Sequence, residues 1–425
     1  MKFSISSSIF LVAASASAAA VRRQSCGGTP MSSSKALYFL DNNPAGSSIV
    51  ALKIAEDGTL SDPVRTSTGG SGSIGLTADG PAQIDSLFSQ DSVVVSGNNL
   101  FTINAGSNTL SHFLISPSNP QNLTLAGDPV PTGGTFPNSV AFSPKLNMVC
   151  VLHTGAPSPG VMCFRLDPAT NALTPQGCGI VPLPSISSAQ TQSPPTGPAN
   201  TASDILFNPD ATALFATVKG NGADSPSGSV FTFPVNPEDG SLGPAVESKP
   251  EGLQLEFSMT FLNSSSAVIT DPSFGAALVG IEMTTEAGGA VAAGPGPEVK
   301  LARRTEIENQ TAICWSVYSN SRQEIYISDT GSPDITVLDA GDGSVKRVIA
   351  GPEGAVGSLD SVLLGGKLYV LQAASGISVL DVDAAGLGEN GEGAAGQVVQ
   401  SLDLSGLGER SGWMGMAAYR GEEEE

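Results

Sequence analysis

Charge is scarce in this chain, and positive charge scarcer still. Only 14% of its 425 residues are Asp, Glu, Lys or Arg, and 40 acidic residues outnumber 19 basic ones, for a formal net charge of −21. Such a field repels phosphate backbones and anionic lipid headgroups, which argues against nucleic acid or a membrane surface as partner. Aromatic residues make up 5% and histidine occurs twice, at His112 and His153. Two distant histidines and the lack of any C-x-x-C leave no zinc-type ligand pattern. There is no HExxH and no G-x-S-x-G, and GGSGSIG (Gly69 to Gly75) opens no helix, so it reads as a flexible loop rather than a phosphate cradle. Beyond the N-terminus no run approaches the roughly 18 apolar residues of a membrane helix. No cofactor or metal is expected.

What abounds is punctuation, 50 glycines and 30 prolines, the composition of many short strands joined by turns. The start differs. Lys2, an apolar stretch from Ile9 to Ala14 and the small residues Ala16-Ser17-Ala18 read as a signal peptide over residues 1–20. Arg22-Arg23 follows, either a second processing site or a chance pair. The mature product is expected to be secreted, with one domain over residues 21–420 and a solvated acidic tail over 421–425. N-x-[ST] sequons at Asn122, Asn263 and Asn309 are expected glycosylation sites on loops or strand edges. Five cysteines (Cys26, Cys150, Cys163, Cys178, Cys314) suit a disulfide-forming compartment, and Cys163 is expected to pair with either Cys150 or Cys178 on neighbouring strands.

An apolar strand that ends in a polar residue and a turn recurs seven times: YFLDNN, FTINAG, CVLHTG, ATVKGN, VITDPS, YISDTG and YVLQAA, at intervals of 43 to 66 residues. A repeat of roughly 40 to 60 residues built only of strand and turn marks a β-propeller. Each repeat continues into a second alternating run, as in GVMCFRLDPATNAL, where D-P-A-T-N supplies the turn to an outer strand. Before most of them stands a run such as NSVAFSPKLN or ASDILFNPDA, read as the innermost strand. The predicted fold is all-β, a seven-bladed β-propeller of four-stranded antiparallel blades; six blades is the alternative if the AGGAVAAGPGPEV stretch makes the fifth unit an insertion. The first unit lacks an inner strand, and Gly412 to Arg420 (GWMGMAAYR) is expected to provide it, closing the ring and removing exposed edges.

In equivalent blades Asp41, Asn104, His153, Lys219, Asp271, Asp329 and Gln372 would lie on one circle. Either they are polar because turns favour such residues, or they line the mouth of a central cavity, where propellers hold small ligands. The loops that lead into the innermost strands bring Phe136, Asn138, Phe257, Cys314, Trp315, Trp413 and Met414 to the same face. That both tryptophans stand there points to an apolar pocket for small hydrophobic substrates, with Trp315, Trp413 and Phe136 as its stacking surfaces. Lys219 and His153 are the catalytic candidates, the first as a hydrogen-bond donor to a carbonyl and the second as a general acid or base. Asp41, Asn104, Asp271, Asp329 and Gln372 are candidate substrate contacts. Asp41, Asp271 and Asp329 would hold a Ca²⁺ ion only if they converged, and carboxylates around a wide channel usually stay too far apart. His112, inside an alternating strand, is assigned to structure. No feature of the sequence fixes the oligomeric state.

The runs LFTINAGSNTLSHFLIS, GDPVPTGGTFPNSVAFSP, FRLDPATNALTP and ICWSVYS resemble the lactonase-type seven-bladed propellers, the group of 6-phosphogluconolactonase and fungal 3-carboxymuconate cyclase. The resemblance spans nearly the whole mature chain and implies that fold. In the lactonising members an early blade often carries a histidine before its innermost strand, where this chain has Pro137-Asn138-Ser139; the departure counts against lactone chemistry driven by that group. Size, signal peptide and propeller pattern are also similar to the secreted fungal hetero-Diels-Alderases of tropolonic sesquiterpenoid biosynthesis. That resemblance implies a cofactor-free cycloaddition of a tropolone quinone methide with a humulene-type alkene. Trp315, Trp413 and Phe136 would stack the reactants, and Lys219 or His153 would hydrogen-bond the tropolone oxygen. Orientation alone is worth up to roughly 7 to 11 kcal/mol in such a step. Three function classes follow: this cyclising enzyme, a lactonase or carboxymuconate-cyclase-like enzyme, and a non-catalytic secreted cell-wall glycoprotein or antigen.

Overall fold

The structure, a computed structural model, describes residue 1 and residues 34–183, 185–186, 190–222, 227–282, 296–383 and 397–421. The expected signal peptide, Arg22-Arg23, Cys26, most of the AGGAVAAGPGPEV stretch and the four terminal glutamates lie outside the described residues. Seven antiparallel blade sheets follow one another along the chain, six of them four-stranded, and a two-stranded pair, Leu76–Thr77 with Gly80–Pro81, lies in the connection between the first two. In the second sheet two short outer strands, Leu123–Leu125 and Val130–Pro131, pair with successive parts of Thr109–Ile115. Seven blades are thus present, and the fifth is complete: Met259–Asn263, Ser266–Asp271, Gly275–Glu282 and Glu298–Glu306.

Residue chemistry grades from the axis outward. Second and third strands such as Lys35–Asp41 (KALYFLD), Met148–His153 (MVCVLH) and Glu324–Asp329 (EIYISD) are rich in β-branched and aromatic residues and buried along nearly their whole length. Each is sandwiched between neighbouring blades, so both of its faces are covered. Outer strands such as Leu60–Ser67 and Gln397–Asp403 face water and read polar. Tyr38, Tyr326 and Tyr369 are fully buried, each contributing roughly 1.5–3 kcal/mol of apolar burial. Their hydroxyls still find acceptors: Tyr38 donates to Pro120 O at 2.6 Å and Tyr369 to Gly58 O at 3.0 Å, tying neighbouring blades together. The turn clusters behave as their composition predicts. In D-P-A-T-N the Asp167 carboxylate accepts from Ala169 N–H, and Asn171 takes a left-handed φ of 59°.

Ring closure is built as expected. Trp413–Tyr419 pairs antiparallel with Lys35–Asp41, Tyr38 opposite Ala417 and Asp41 opposite Trp413, so residues far apart in the chain complete one blade. The cross-strand pair Cys150–Cys163 in the third blade is a disulfide, while Cys178 is exposed and Cys314 buried. The described residues from 34 to 421 form one compact unit.

Candidate active site

Five of the innermost strands or their partners carry a register shift near the axis, at Pro137/Ser139, Ala202/Asp204, Ile313/Trp315, Ser358/Ser361 and Tyr38/Leu40. Bulges re-aim side chains. Here they bring Asn138, Ser203, Cys314 and Asp360 to the region where the innermost strands converge.

That region is filled by the protein's own chain. Two connections between blades are long, Thr68 to Ser92 from blade one to blade two and residues 183–201 from blade three to blade four, and in the first Asp85 to Gln90 are all buried. Its polar groups are taken up from several blades at once. Leu87 O accepts from Asn138 Nδ2 (3.3 Å), Phe88 O from Lys219 Nζ (2.7 Å) and Ser89 O from Trp315 Nε1 (3.1 Å). Ser89 Oγ donates to Asn138 O (2.6 Å), and Gln90 Oε1 accepts from Ser316 N–H (3.2 Å). Asp85, Phe88 and Asp91 all have φ between 50° and 57°, a conformation that strains non-glycine residues and is held only where the surroundings over-determine it. The Phe88 ring lies against Gly75 and Gly197, where an added Cβ would stand 2.4 and 2.6 Å from it. Gly197 belongs to the blade three to four connection, which is laced to the first loop by Leu76 N–H to Pro195 O (2.9 Å) and Gly197 N–H to Leu76 O (2.8 Å). Two loops together form a plug.

Five of the seven ring residues bond the backbone or side chains of their own blade and its leading-in loop. Asp271 accepts from Gln254 N–H (2.6 Å) and Leu255 N–H; Asp329 from Thr311 N–H (2.7 Å) and Ala312 N–H; Asp41 pairs with Arg65. Asn104 bonds Thr68, Thr109 and Ser111. His153 Nδ1–H donates to Gly160 O (3.0 Å), and burial lowers its pKa to about 4, so its ring is neutral. The Gln372 amide is buried without a hydrogen-bond partner among the described residues. Lys219 differs by one residue of register: Val218, opposite Ser229, occupies the place that His153, opposite Gly160, holds in blade three. A shift of one residue reverses the face a side chain points to, and Lys219 reaches the plug.

The Lys219 amine sits over the Phe257 ring, 4.5 Å from its centroid, and touches Ser203 Oγ in a short hydrogen bond. Burial lowers its pKa to about 7, partly offset by Asp85, Cys314 and Asp204. Burial likewise raises Asp85 to about 7, against the pull of Lys219 and Arg410. Asp204 and Asp360, each with one unpartnered oxygen, are pushed well up by burial and by Asp91. Trp315 packs edge-on to Phe257 at 5.0 Å, Trp413 lies 5.2 Å from Phe39, and Phe136 is fully buried in the core between the first three blades. The three expected stacking residues are thus spread around the ring and wholly enclosed. Among the described residues no cluster of His, Cys, Asp and Glu is arranged to hold a metal ion. Chemically, the centre offers a hydroxyl bonded to an amine whose cation burial disfavours, under a strained cover.

Ser203 and Asp85 escape sequence reasoning. ASDILF reads only as an inner strand, and IDSLFSQ carries no motif; the one signal is the length of the connection, since loops beyond about 12–15 residues are usually functional or disordered. By sequence, no family model and no curated protein matches the chain. Among solved structures, a Lactobacillus plantarum protein is similar with TM-score 0.59 at 13% identity, covering 91% of this chain and 100% of its own. A 6-phosphogluconolactonase described as putative from Bacteroides uniformis aligns with TM-score 0.58 at 14% identity over 91% of this chain and 99% of that one. Its counterpart from Bacteroides fragilis gives 0.55 at 12% over 92% and 99%. At these identities what is shared is the fold, and the chain is a seven-bladed propeller.

Proposed function

We propose that the protein is a cofactor-independent enzyme that opens lactones or related cyclic esters, with Ser203 and Lys219 as its reactive pair. The hydrogen bond between the Lys219 amine and the Ser203 hydroxyl carries this reading: a serine activated by a lysine of lowered pKa is a recurring nucleophile and base arrangement. Ser203 Oγ adds to the ring carbonyl as its proton passes to Lys219 Nζ. The ring C–O bond breaks and the alkoxide takes that proton, and water then releases the acyl group from Ser203. Phe88 O accepts from Lys219 Nζ, which supports the amine as a donor to a substrate carbonyl. Substrate access requires the Asp85 to Gln90 segment to lift.

The test is ring opening of simple lactones by the purified protein, with Ser203→Ala and Lys219→Met alongside. Loss of at least about 100-fold in kcat/KM in both variants, with unchanged melting, supports the pair; equal rates in wild type and variants sink it. A second reading draws on the same amine. A donor already bonded to a carbonyl is what a cycloaddition of a tropolone quinone methide with a humulene-type alkene needs, in the open state of the plug. It expects a raised yield and a single stereoisomer of the dihydropyran adduct, and a racemic product at the uncatalysed rate counts against it.

A further inference from the structure

On the opposite face of the ring, where first strands turn into second strands and third into fourth, a cavity of about 240 Å³ opens between blades two and three. Its wall comes from Ser96 and Gly97, Pro144 and Asn147, and Pro168 and Asn171 at three turns, together with Asn99, Phe142 and Leu166. The chain's net charge is −21, yet none of these side chains is charged. Three are amides. Asn99 Oδ1 is held by the buried His112 Nε2 at 2.8 Å, with the His112 ring stacked on Phe101 at 4.5 Å. Burial lowers the His112 pKa to about 4, so it stays neutral and the contact persists through ordinary pH. With its oxygen so fixed, the Asn99 NH₂ is the part left to donate to a guest. Asn147 and Asn171 stand at left-handed turn positions, φ 47° and 59°, and are half-buried.

We propose that this cavity binds one ring of a neutral carbohydrate. Amides offer donors and acceptors together, matching hydroxyls that do both. Phe142 and Leu166, with the prolines, supply an apolar wall for the C–H face of a sugar. The absence of a charged side chain disfavours sugar acids and phosphates, whose charge would enter uncompensated. The volume is below the roughly 300–1,000 Å³ of sites for drug-sized ligands, which suits a single pyranose at a chain end. This site is independent of the Ser203–Lys219 reading.

The probes are glucose, mannose and N-acetylglucosamine with their neutral trimers, titrated into the full-length protein by calorimetry and by ligand-observed NMR. Glycine keeps the left-handed turns while removing the amides, so Asn147→Gly/Asn171→Gly is the diagnostic variant, with Asn171→Asp as a second that retains the turn. At least one probe is expected to bind with a Kd of about 1 mM or tighter, and the double variant to weaken it at least tenfold with melting unchanged. Ser203→Ala is expected to bind like the wild type. No binding of any probe at tens of millimolar, or equal binding by both variants, overturns the proposal.

Discussion

At the scale of single residues, the centre of the ring depends on keeping a few polar groups in unusual states. Lys219 titrates near 7 because burial disfavours its cation, so its base form grows as pH rises from 6 to 8. For a lysine acting as base, kcat/KM for lactone opening is expected to rise through pH 7 and level off above about 8. A profile flat between pH 6 and 9 in initial-rate measurements would remove Lys219 from the reaction. Ser203→Ala keeps the strand and removes only the hydroxyl, so the loss of rate should come without a drop in melting temperature. His153 bonds Gly160 and is walled by Gly134, whose added Cβ would stand 2.4 Å from the ring. Accordingly His153→Asn is expected to lower stability while leaving the pH profile in place. Lys219 was legible as a polar residue near a strand end, but ATVKGN does not say whether Val218 or Lys219 holds the ring position. Only the pairing of Val218 with Ser229 decides that.

Among elements, the plug and the third blade are the informative ones. Gly197→Ala would place a carbon 2.6 Å from the Phe88 ring, and overpacking of this kind costs about 1–3 kcal/mol. Faster amide hydrogen exchange over Asp85 to Gln90, with the blades unaffected, is the expected outcome; uniform loosening of the whole ring would show that the segment is not a separable cover. In blade three the Cys150–Cys163 bridge spans a sequence separation of 13, and closing a loop of that size is worth about 3 kcal/mol in the chain-entropy account. The Cys150→Ala/Cys163→Ala variant should therefore melt lower without losing its fold, as read by circular dichroism. Sequence reasoning narrowed Cys163 to two partners, and the direct opposition of Cys150 and Cys163 on paired strands selects one.

For the whole molecule, buried carboxylates set the response to pH. Asp85 and Asp91 are raised to about 7 and Glu256 to about 8, burial being the main cause, and burial also pushes Asp204 and Asp360 well above the usual carboxylate range. Between the unfolded values near 4 and these, the folded state binds more protons than the unfolded chain, so stability falls as pH rises. His112 and His153, lowered to about 4, act in the opposite sense between pH 4 and 6.5. Lys219 likewise adds stability as pH rises from 7 toward 10.5. Five carboxylates outweigh two imidazoles, and the general repulsion of a −21 chain adds to them. A higher melting temperature at pH 5 than at pH 7.5 is expected, and Asp204→Asn/Asp360→Asn should flatten that difference; a melting temperature that climbs with pH over this range would contradict it. The sequence by itself determined the strands, their grouping into seven blades and the closure by Trp413–Tyr419, because alternation and turn chemistry are local and repeat with each blade. The filling of the centre, the turning of five ring residues toward their own blades and the meeting of Ser203 with Lys219 were decided only by tertiary structure. A one-residue bulge or a loop crossing the axis leaves no periodic trace, and it brings together groups that the chain order keeps apart.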